Sequence, residues 1–353
     1  MINSQRRYDI DWLRVIAITM LLLYHVAIGF QSWGLMVGFI TNKQSWENLW
    51  IPMTLLNVWR IPLLFFVSGM GVYFAIQKRN WKQVFTERAK RIALPFIFGM
   101  LFIVPLHIVL LQSYYSWELS YTPNPSHLWF LGNILIYIFV LLPIFIYLKN
   151  NKNKYLLIKL RRLFANPLGL IIVVFFFIAE AMIIKPYPFE HYAMTAHGFF
   201  LGLLAFIFGF LFMYSGTAFW KMLINWRWVF FILALALYLI RTYLGQIPLY
   251  QLSAESCLWI FSIFAFGHKH LNQPSKTLSY FTQGAYPIYI IHMFFIYLAS
   301  NMIFPLSIDV RFKFVLVLGI TFIGSLGFYD LFIRRINFVR PLFGMKRINK
   351  TLI

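Results

Sequence analysis

The first apolar segment of the chain carries three ionisable side chains, Asp11, Arg14 and His25. Ionisable groups inside an apolar helix cost free energy and are functional candidates by default. On an α-helix, Arg14 and His25 share a face and lie roughly 16 Å apart along the axis, and Asp11 falls within about 60° of that face. The spacing predicts an acid and a base at one end of a helix face and, deeper along it, an imidazole that can take a proton near neutral pH. The structural alternative is a snorkelling Arg14 and a packed His25.

Other polar side chains interrupt later apolar segments. They are Arg60 and Ser68 in the second segment, His127 and Trp129 at the start of the fourth, Glu180 in the fifth, and Tyr289 and His292 in the ninth. Glu255 in the eighth segment is expected to pair with Arg241 in the seventh, because a buried carboxylate needs a partner. For each of these side chains, a structural role in the helix bundle or at the membrane interface is the alternative.

Composition places these side chains in a membrane. Of 353 residues, 61% are hydrophobic and only 12% are charged, and the mean hydropathy is +0.73. Soluble domains carry about 25% charged residues. The single cysteine, Cys257, can form neither an intramolecular disulfide nor a metal site. We therefore expect a membrane protein without a metal cofactor.

The apolar pattern predicts an all-α, polytopic membrane protein with about ten transmembrane helices. Each segment is about long enough to cross the hydrocarbon core as a helix, which satisfies its own backbone hydrogen bonds. The predicted spans lie near residues 10–31, 53–76, 92–112, 128–148, 168–184, 197–215, 228–244, 250–267, 282–304 and 312–333. The first is too long for a removable signal peptide. We expect one membrane domain over residues 1–353 and no separate soluble domain.

The distribution of charge predicts the orientation. With the N-terminus in the cytoplasm, 24 of the 31 lysines and arginines fall at the cytoplasmic side of the spans, and the outer loops hold only Lys43, Lys185, Arg311 and Lys313. Such a bias is the positive-inside rule, and it predicts that both termini are cytoplasmic. It also accounts for the net charge of +21 without a nucleic-acid partner.

Five stretches, in this order, resemble a known family. They are Tyr8–Ala17 followed by His25, Trp59–Gly69, Arg88-Ala89-Lys90-Arg91 before the third span, His127–Leu131, and Tyr286–His292. Together they resemble the acyltransferase 3 family over nearly the whole chain, and most closely its glucan-biosynthesis branch. In one departure, Val15 stands where the family usually has glycine after the residue equivalent to Arg14.

This resemblance implies transfer of an acetyl or succinyl group from acetyl-CoA or succinyl-CoA. The donor would come from the cytoplasmic side of a bacterial inner membrane, and the acceptor would be a hydroxyl of a periplasmic or cell-surface glycan. His25 would be the general base, with Asp11 on the same helix face; an acyl-histidine intermediate is the alternative. The implied donor contacts are Arg14, Arg88, Lys90, Arg91, Ser68, Tyr289 and His292, and the implied acceptor contacts are Arg60, His127, Trp129 and Glu180.

Other functions also fit part of the pattern. A basic cytoplasmic loop such as Arg88–Arg91 is equally suited to anionic lipid headgroups. A transporter or flippase for a glycan or lipid-linked sugar would also have many spans with intramembrane charges, but it predicts inverted repeats that the sequence does not display. A different membrane acyltransferase fold with a single histidine, or a non-catalytic relative, are further alternatives. The sequence leaves open a homo-oligomer, the acyl group and the glycan.

Overall fold

The computed structural model describes residues 6–245 and 247–348. Lys350, one of the predicted cytoplasmic charges, lies outside the described residues. The described part contains helices and no strands. The α-helices are α1 (Tyr8–Ile28), α2 (Trp50–Asn57), α3 (Arg60–Gln77), α4 (Trp81–Arg88), α5 (Leu94–Phe98), α6 (Val104–Tyr114), α7 (Trp129–Asn150), α8 (Tyr155–Phe164), α9 (Leu168–Ile184), α10 (Ala196–Ser215), α11 (Thr217–Asn225), α12 (Arg227–Leu244), α13 (Leu249–His270), α14 (Lys276–Ile303) and α15 (Val310–Phe328). Turns of π-helix occupy Ala89–Ala93, Gly99–Ile103 and Tyr329–Ile333, and 3₁₀ turns occupy Gly34–Val37, Glu47–Leu49, Ser126–Leu128 and Arg340–Phe343.

The prediction of an all-α polytopic membrane protein is confirmed. Among the described residues, nine helical runs are long and apolar enough to cross a membrane, and a bent pair would make ten. The bent pair consists of α8 and α9, with a bend of 93° between them. Helix α9 by itself corresponds to the predicted fifth span. Asn166 Oδ1 accepts a hydrogen bond from the Leu168 amide at 2.9 Å, and Pro167 between them has no amide hydrogen to donate. The predicted orientation stays a prediction.

The chain forms two compact units, each assembled from separate stretches of sequence. Among the described residues, the first unit contains those up to Ala17, Asn57–Phe85 and Ile136–Leu278. The second unit contains Ile18–Leu56, Thr86–Leu135 and the described residues from Ser279 onward.

In the first unit, glycines allow α3 and α10 to pack backbone against backbone. A Cβ atom at Gly69 would lie 2.0 Å from the carbonyl oxygen of Phe206, and one at Gly209 would lie 2.0 Å from that of Phe66. No side chain fits into such distances. Close approach of this kind, at small residues, is how helices associate in lipid.

The start of α3 is shaped by Pro62, which cannot donate a hydrogen bond to the carbonyl of Val58. Two side chains of the first unit donate to that carbonyl instead, Ser256 Oγ at 2.6 Å and Tyr192 Oη at 3.3 Å. Arg60, two residues before the proline, is the first residue of α3 and is buried. The Val58 carbonyl, which the proline leaves without its helical donor, is therefore satisfied within the protein, as lipid requires.

The predicted pairing of Glu255 with Arg241 is confirmed. Arg241 Nε and Nη2 donate to the two Glu255 carboxylate oxygens at 2.9 and 2.8 Å, and Glu255 is fully buried. Trp259 Nε1 adds a third donor at 3.3 Å. Removing one partner of such a buried pair typically costs about 3–5 kcal/mol, because it leaves the other charge uncompensated. The pair therefore joins α12 to α13.

In the second unit, the loop that follows α1 folds back over the end of that helix. The Asn42 amide donates to the Gly29 carbonyl and the Trp46 amide to the Phe30 carbonyl, both at 2.8 Å. Lys313 on α15 then fixes the loop, since its Nζ donates to Asn42 Oδ1 at 3.0 Å. The loop is thus held beside the end of α1 that carries His25.

Candidate active site

Two histidines of the second unit lie in direct contact. Nδ1 of His25, on α1, is 3.0 Å from Nε2 of His292, on α14. Their rings are nearly parallel, with 9° between the planes and 5.3 Å between centroids. Nδ1 of His292 lies 2.6 Å from the carbonyl oxygen of Tyr289. His25 is partly exposed and His292 is fully buried, so the pair runs from an accessible imidazole to an inaccessible one.

A third histidine, His127, packs edge-on against His292. It lies on the 3₁₀ turn that precedes α7, and its ring centroid is 5.1 Å from that of His292. Its Nε2 is 3.0 Å from the carbonyl oxygen of Ile290, and its own carbonyl accepts a hydrogen bond from the Tyr289 hydroxyl. These two bonds fasten the start of α7 to α14. Nδ1 of His127 is buried and has no hydrogen-bond partner among the described residues.

A fourth histidine, His107 on α6, completes what we call the histidine cluster: His25, His107, His127 and His292. The His107 ring is 5.5 Å from that of His127 and 4.9 Å from that of Tyr297. His107 was not among the predicted site residues, although an ionisable residue inside the third apolar segment was an available signal. Within the described part of the chain, no group of three or more His, Cys, Asp or Glu side chains is arranged to hold a metal ion.

Aromatic residues border the cluster on the side of His25. The Phe39 ring, from the loop after α1, is 5.5 Å from the His25 ring and 6.0 Å from the Tyr297 ring. The hydroxyl of Tyr297 donates to the carbonyl of Gly38, whose φ of +85° suits glycine. The site therefore combines titratable imidazoles with apolar walls.

A basic pair lies on the same unit. Arg88 is the last residue of α4, and Arg91 lies within the π-helical turn Ala89–Ala93. Such turns inside α-helices are frequent at functional sites. Arg91 Nη1 is 3.3 Å from Glu87 Oε1, and Lys90 beside it is exposed.

Two buried donors near this pair have no hydrogen-bond acceptor among the described residues, Nε of Arg91 and the hydroxyl of Tyr286. The ring of Tyr286 and the backbone of Arg91 both lie against Gly344. A Cβ atom there would be 2.4 Å from the Tyr286 ring and 2.8 Å from the Arg91 carbonyl oxygen. Tyr286 also lies within the electrostatic reach of Arg88 and Arg91. Unpaired buried donors beside guanidinium groups are suited to an anion.

Helix α14 connects the basic pair to the histidine cluster. Tyr286, Tyr289 and His292 follow one another at intervals of three residues, so Tyr286 and His292 are separated by about 9 Å along the helix axis. One helix thus carries a residue beside the cationic groups and a residue beside His25.

The comparison with protein families decides the class of this protein. A family model described as an acyltransferase domain matches residues 7–330. The chain belongs to the acyltransferase 3 family. It is therefore an O-acyltransferase and a multi-pass membrane protein, as the sequence predicted. Membership of this family favours acyl transfer over the transport alternative.

Curated relatives of this acyltransferase carry the name glucans biosynthesis protein C. The protein of that name from Escherichia coli strain K12 is 24% identical over 332 residues, which cover 82% of each chain. The one from Escherichia coli O1:K1 / APEC is 25% identical over 334 residues with the same coverage. No solved structure matches the chain.

The residues predicted for the site are divided between the two units of the enzyme. The second unit contains His25, Arg88, Lys90, Arg91, His127, Trp129, Tyr289 and His292. The first unit contains Asp11, Arg14, Arg60, Ser68 and Glu180. Of the predicted donor contacts, His292 belongs to the histidine cluster, and Tyr289 packs against His127 and His292.

The structure places Asp11 among basic side chains at the beginning of α1. Asp11 Oδ2 is 2.9 Å from Arg6 Nη2, and its Oδ1 is 3.6 Å from Arg14 Nη1. His25 follows fourteen positions later on the same helix, about 21 Å along the axis, so the two side chains do not touch. The catalytic role of Asp11 stays a prediction.

Two further predicted contacts of the first unit have partners within the protein. Ser68 Oγ donates to the Leu64 carbonyl at 2.8 Å. Glu180 and His197 are both buried, with each carboxylate oxygen 3.0 Å from His197 Nδ1. The roles of Ser68 in donor binding and of Glu180 and Arg60 in acceptor binding stay predictions.

Proposed function

We propose that this enzyme transfers an acetyl or succinyl group from cytoplasmic acyl-CoA to a hydroxyl of a glycan on the outer side of the bacterial inner membrane. The observation that carries the proposal is the contact of His25 with His292. On the same helix, about 9 Å along the axis, Tyr286 lies beside the basic pair with its hydroxyl unsatisfied among the described residues. The arrangement combines a base for a hydroxyl with a binding site for phosphate.

The donor would be held by its phosphates. Guanidinium groups match phosphate oxygens with paired hydrogen bonds, which ammonium groups cannot do. Nε of Arg91 and the Tyr286 hydroxyl supply donors that the described part of the protein leaves unused. Arg88 and Lys90 add positive charge beside them. The role of Arg14 in donor binding stays a prediction. The thioester would then extend along α14 towards the histidine cluster.

The transfer step needs a base and correct orientation. His25 takes the proton of the acceptor hydroxyl as its oxygen attacks the thioester carbonyl. The tetrahedral intermediate then collapses, the C–S bond breaks, and the CoA thiolate leaves with the proton that His25 had accepted. The products are the acylated glycan and free CoA, and no oxidant or further reactant is required.

Three observations support a glycan acceptor on the outer side of the membrane. The Escherichia coli relatives are named for glucan biosynthesis. Aromatic side chains before α7 offer faces on which sugars can stack: the Tyr115 and Trp117 rings are stacked at 5.1 Å, and Trp117 and Tyr121 are exposed. His127 and Trp129, the predicted acceptor contacts of this unit, lie immediately after that loop. The positive-inside bias, which supports a cytoplasmic donor and an outer acceptor, is the third.

Release of free CoA thiol tests this function. The purified enzyme is incubated with acetyl-CoA or succinyl-CoA, with and without a pool of glucans. We expect acceptor-dependent release with one of the two donors and a labelled acyl group on the glucan. The preparation is first shown to be folded by a cooperative thermal melt. If such protein then gives no labelled glucan with either donor, the proposal is contradicted.

A further inference from the structure

We infer that His292 is a positioning residue that fixes the tautomer of His25, so that Nε2 of His25 is the nitrogen that takes the acceptor proton. The inference rests on the proposed function for its chemistry, and it gives His292 a role other than the donor contact predicted from the sequence.

The tautomers follow from which atoms can donate. The carbonyl oxygen of Tyr289 can only accept a hydrogen bond, so Nδ1 of His292, 2.6 Å away, must carry a proton. In a neutral His292, Nε2 then has a lone pair and accepts. Its neighbour at 3.0 Å, Nδ1 of His25, is therefore the donor. A neutral His25 that carries its proton on Nδ1 has its lone pair on Nε2.

His292 is rigid enough to impose this arrangement. It is fully buried on α14, and the ring of His127 packs against it edge-on at 5.1 Å. His127 is itself held by the Ile290 carbonyl and the Tyr289 hydroxyl. The parallel rings of His25 and His292 leave His25 little freedom to turn about its side-chain bonds. A partner that fixes both the tautomer and the ring orientation of a catalytic histidine is a common requirement for its function as a base.

The protons balance in the acyl-transfer step. The acceptor hydroxyl transfers its proton to Nε2 of His25, which becomes an imidazolium with Nδ1–H still donated to Nε2 of His292. When the C–S bond breaks, the same proton leaves Nε2 for the CoA thiolate. His292 keeps its own proton on Nδ1 throughout, bonded to the Tyr289 carbonyl. Among the described titratable groups of the second unit, Tyr24 contacts His25, and His127 and Tyr289 contact His292. His107 contacts His127, and Tyr297 contacts His107.

Two replacements of His292 separate positioning from packing. His292→Phe keeps a buried ring but offers no acceptor to His25, whereas His292→Gln offers an amide oxygen. We expect His292→Phe to lower kcat by about 10²-fold, at the low end of the contribution of general-base catalysis, with little change in the KM for the donor. His292→Gln should recover most of the loss. Unchanged kcat in His292→Phe, or a change confined to donor KM, would overturn the inference.

A double-mutant cycle with His25 sharpens the test. If His292 acts only through His25, adding His292→Phe to His25→Ala should cause no further loss of activity, because residues that act as a unit are not additive. A full additional 10²-fold loss in the double variant would show that His292 acts independently, against the inference. His270→Phe is the matched control: His270 is exposed, stacks on Phe266 and lies outside the site, so we expect wild-type kcat.

The tautomer of His25 can also be determined by NMR, which does not require the protein to be active. In protein labelled with ¹⁵N-histidine, the His25 signals are assigned by their loss in His25→Ala. We expect the Nδ1–H tautomer in the wild type and a loss of that preference in His292→Phe. An Nε2–H tautomer in the wild type would overturn the inference even if acyl transfer is established. Conversely, an Nδ1–H tautomer in a protein inactive with every acceptor would uphold the positioning of His25 and contradict the proposed function.

Discussion

Replacing His25 with alanine should reduce acyl transfer by about 10²–10⁴-fold, which is the usual contribution of a positioned general base. The affinity for the donor should be retained, because the proposed phosphate site is the basic pair and not the imidazole. The measurements are acceptor-dependent CoA release and equilibrium binding of acyl-CoA to the same preparation.

The control for this variant is His270→Ala, which removes an exposed histidine outside the site. It should keep wild-type rates. Transfer by His25→Ala at the rate of this control would contradict the assignment of His25 as the base. The same variant tests the alternative of an acyl-histidine. That alternative predicts that, without acceptor, labelled acyl groups remain on the wild-type protein but not on His25→Ala.

Replacing Arg88 and Arg91 together with alanine should weaken donor binding by about tenfold or more for each guanidinium, since hydrogen bonds to charged groups contribute about 1.5–3 kcal/mol. The corresponding lysine variants should recover only part of the affinity, because an ammonium keeps the charge but not the planar fork. The measurement is the Kd of acyl-CoA, at a fixed salt concentration because exposed charges are screened.

A second basic pair of the same unit is the matched control. Arg334 and Arg335 lie beside the partly exposed carboxylate of Asp330, with Arg334 Nη1 2.8 Å from Asp330 Oδ1 and Arg335 Nη2 3.6 Å from Oδ2. Alanine at both positions should leave the Kd unchanged. Equal losses in the two double variants would indicate a general effect of positive charge and would contradict a phosphate site at Arg88 and Arg91.

The helical architecture was largely predictable because each span is long and apolar enough to be recognised alone. The bend between α8 and α9 had a local signal, the Asn166-Pro167 pair, since proline disfavours helix in the residue before it. The π-helical turn that contains Arg91 had no local signal, because it leaves the apolar pattern of the third span intact.

Single residues of the histidine cluster stood out in the sequence, but His107 was missed and the arrangement could not be predicted. His25 and His292 each stood out as ionisable groups in apolar segments, yet they are 267 positions apart and no local pattern pairs them. The acceptor contact of His127 stays a prediction, and no local pattern indicated that its Nε2 and carbonyl oxygen would hold α14. Tyr286 lay inside a recognised motif, but one tyrosine among 20 gave no sign that its hydroxyl would be buried and unsatisfied beside Arg91.

The most direct test of the central claim uses sealed vesicles that contain the purified enzyme. Glucan is either trapped inside or added outside, and labelled acyl-CoA is added only outside, with a trapped dye to exclude leakage. The test does not depend on which way the enzyme inserts, because outside donor reaches only molecules whose cytoplasmic face is outward. We predict labelled glucan only when donor and acceptor are on opposite sides of the membrane. Labelled glucan formed when both are outside, with none inside, would contradict transfer across the membrane.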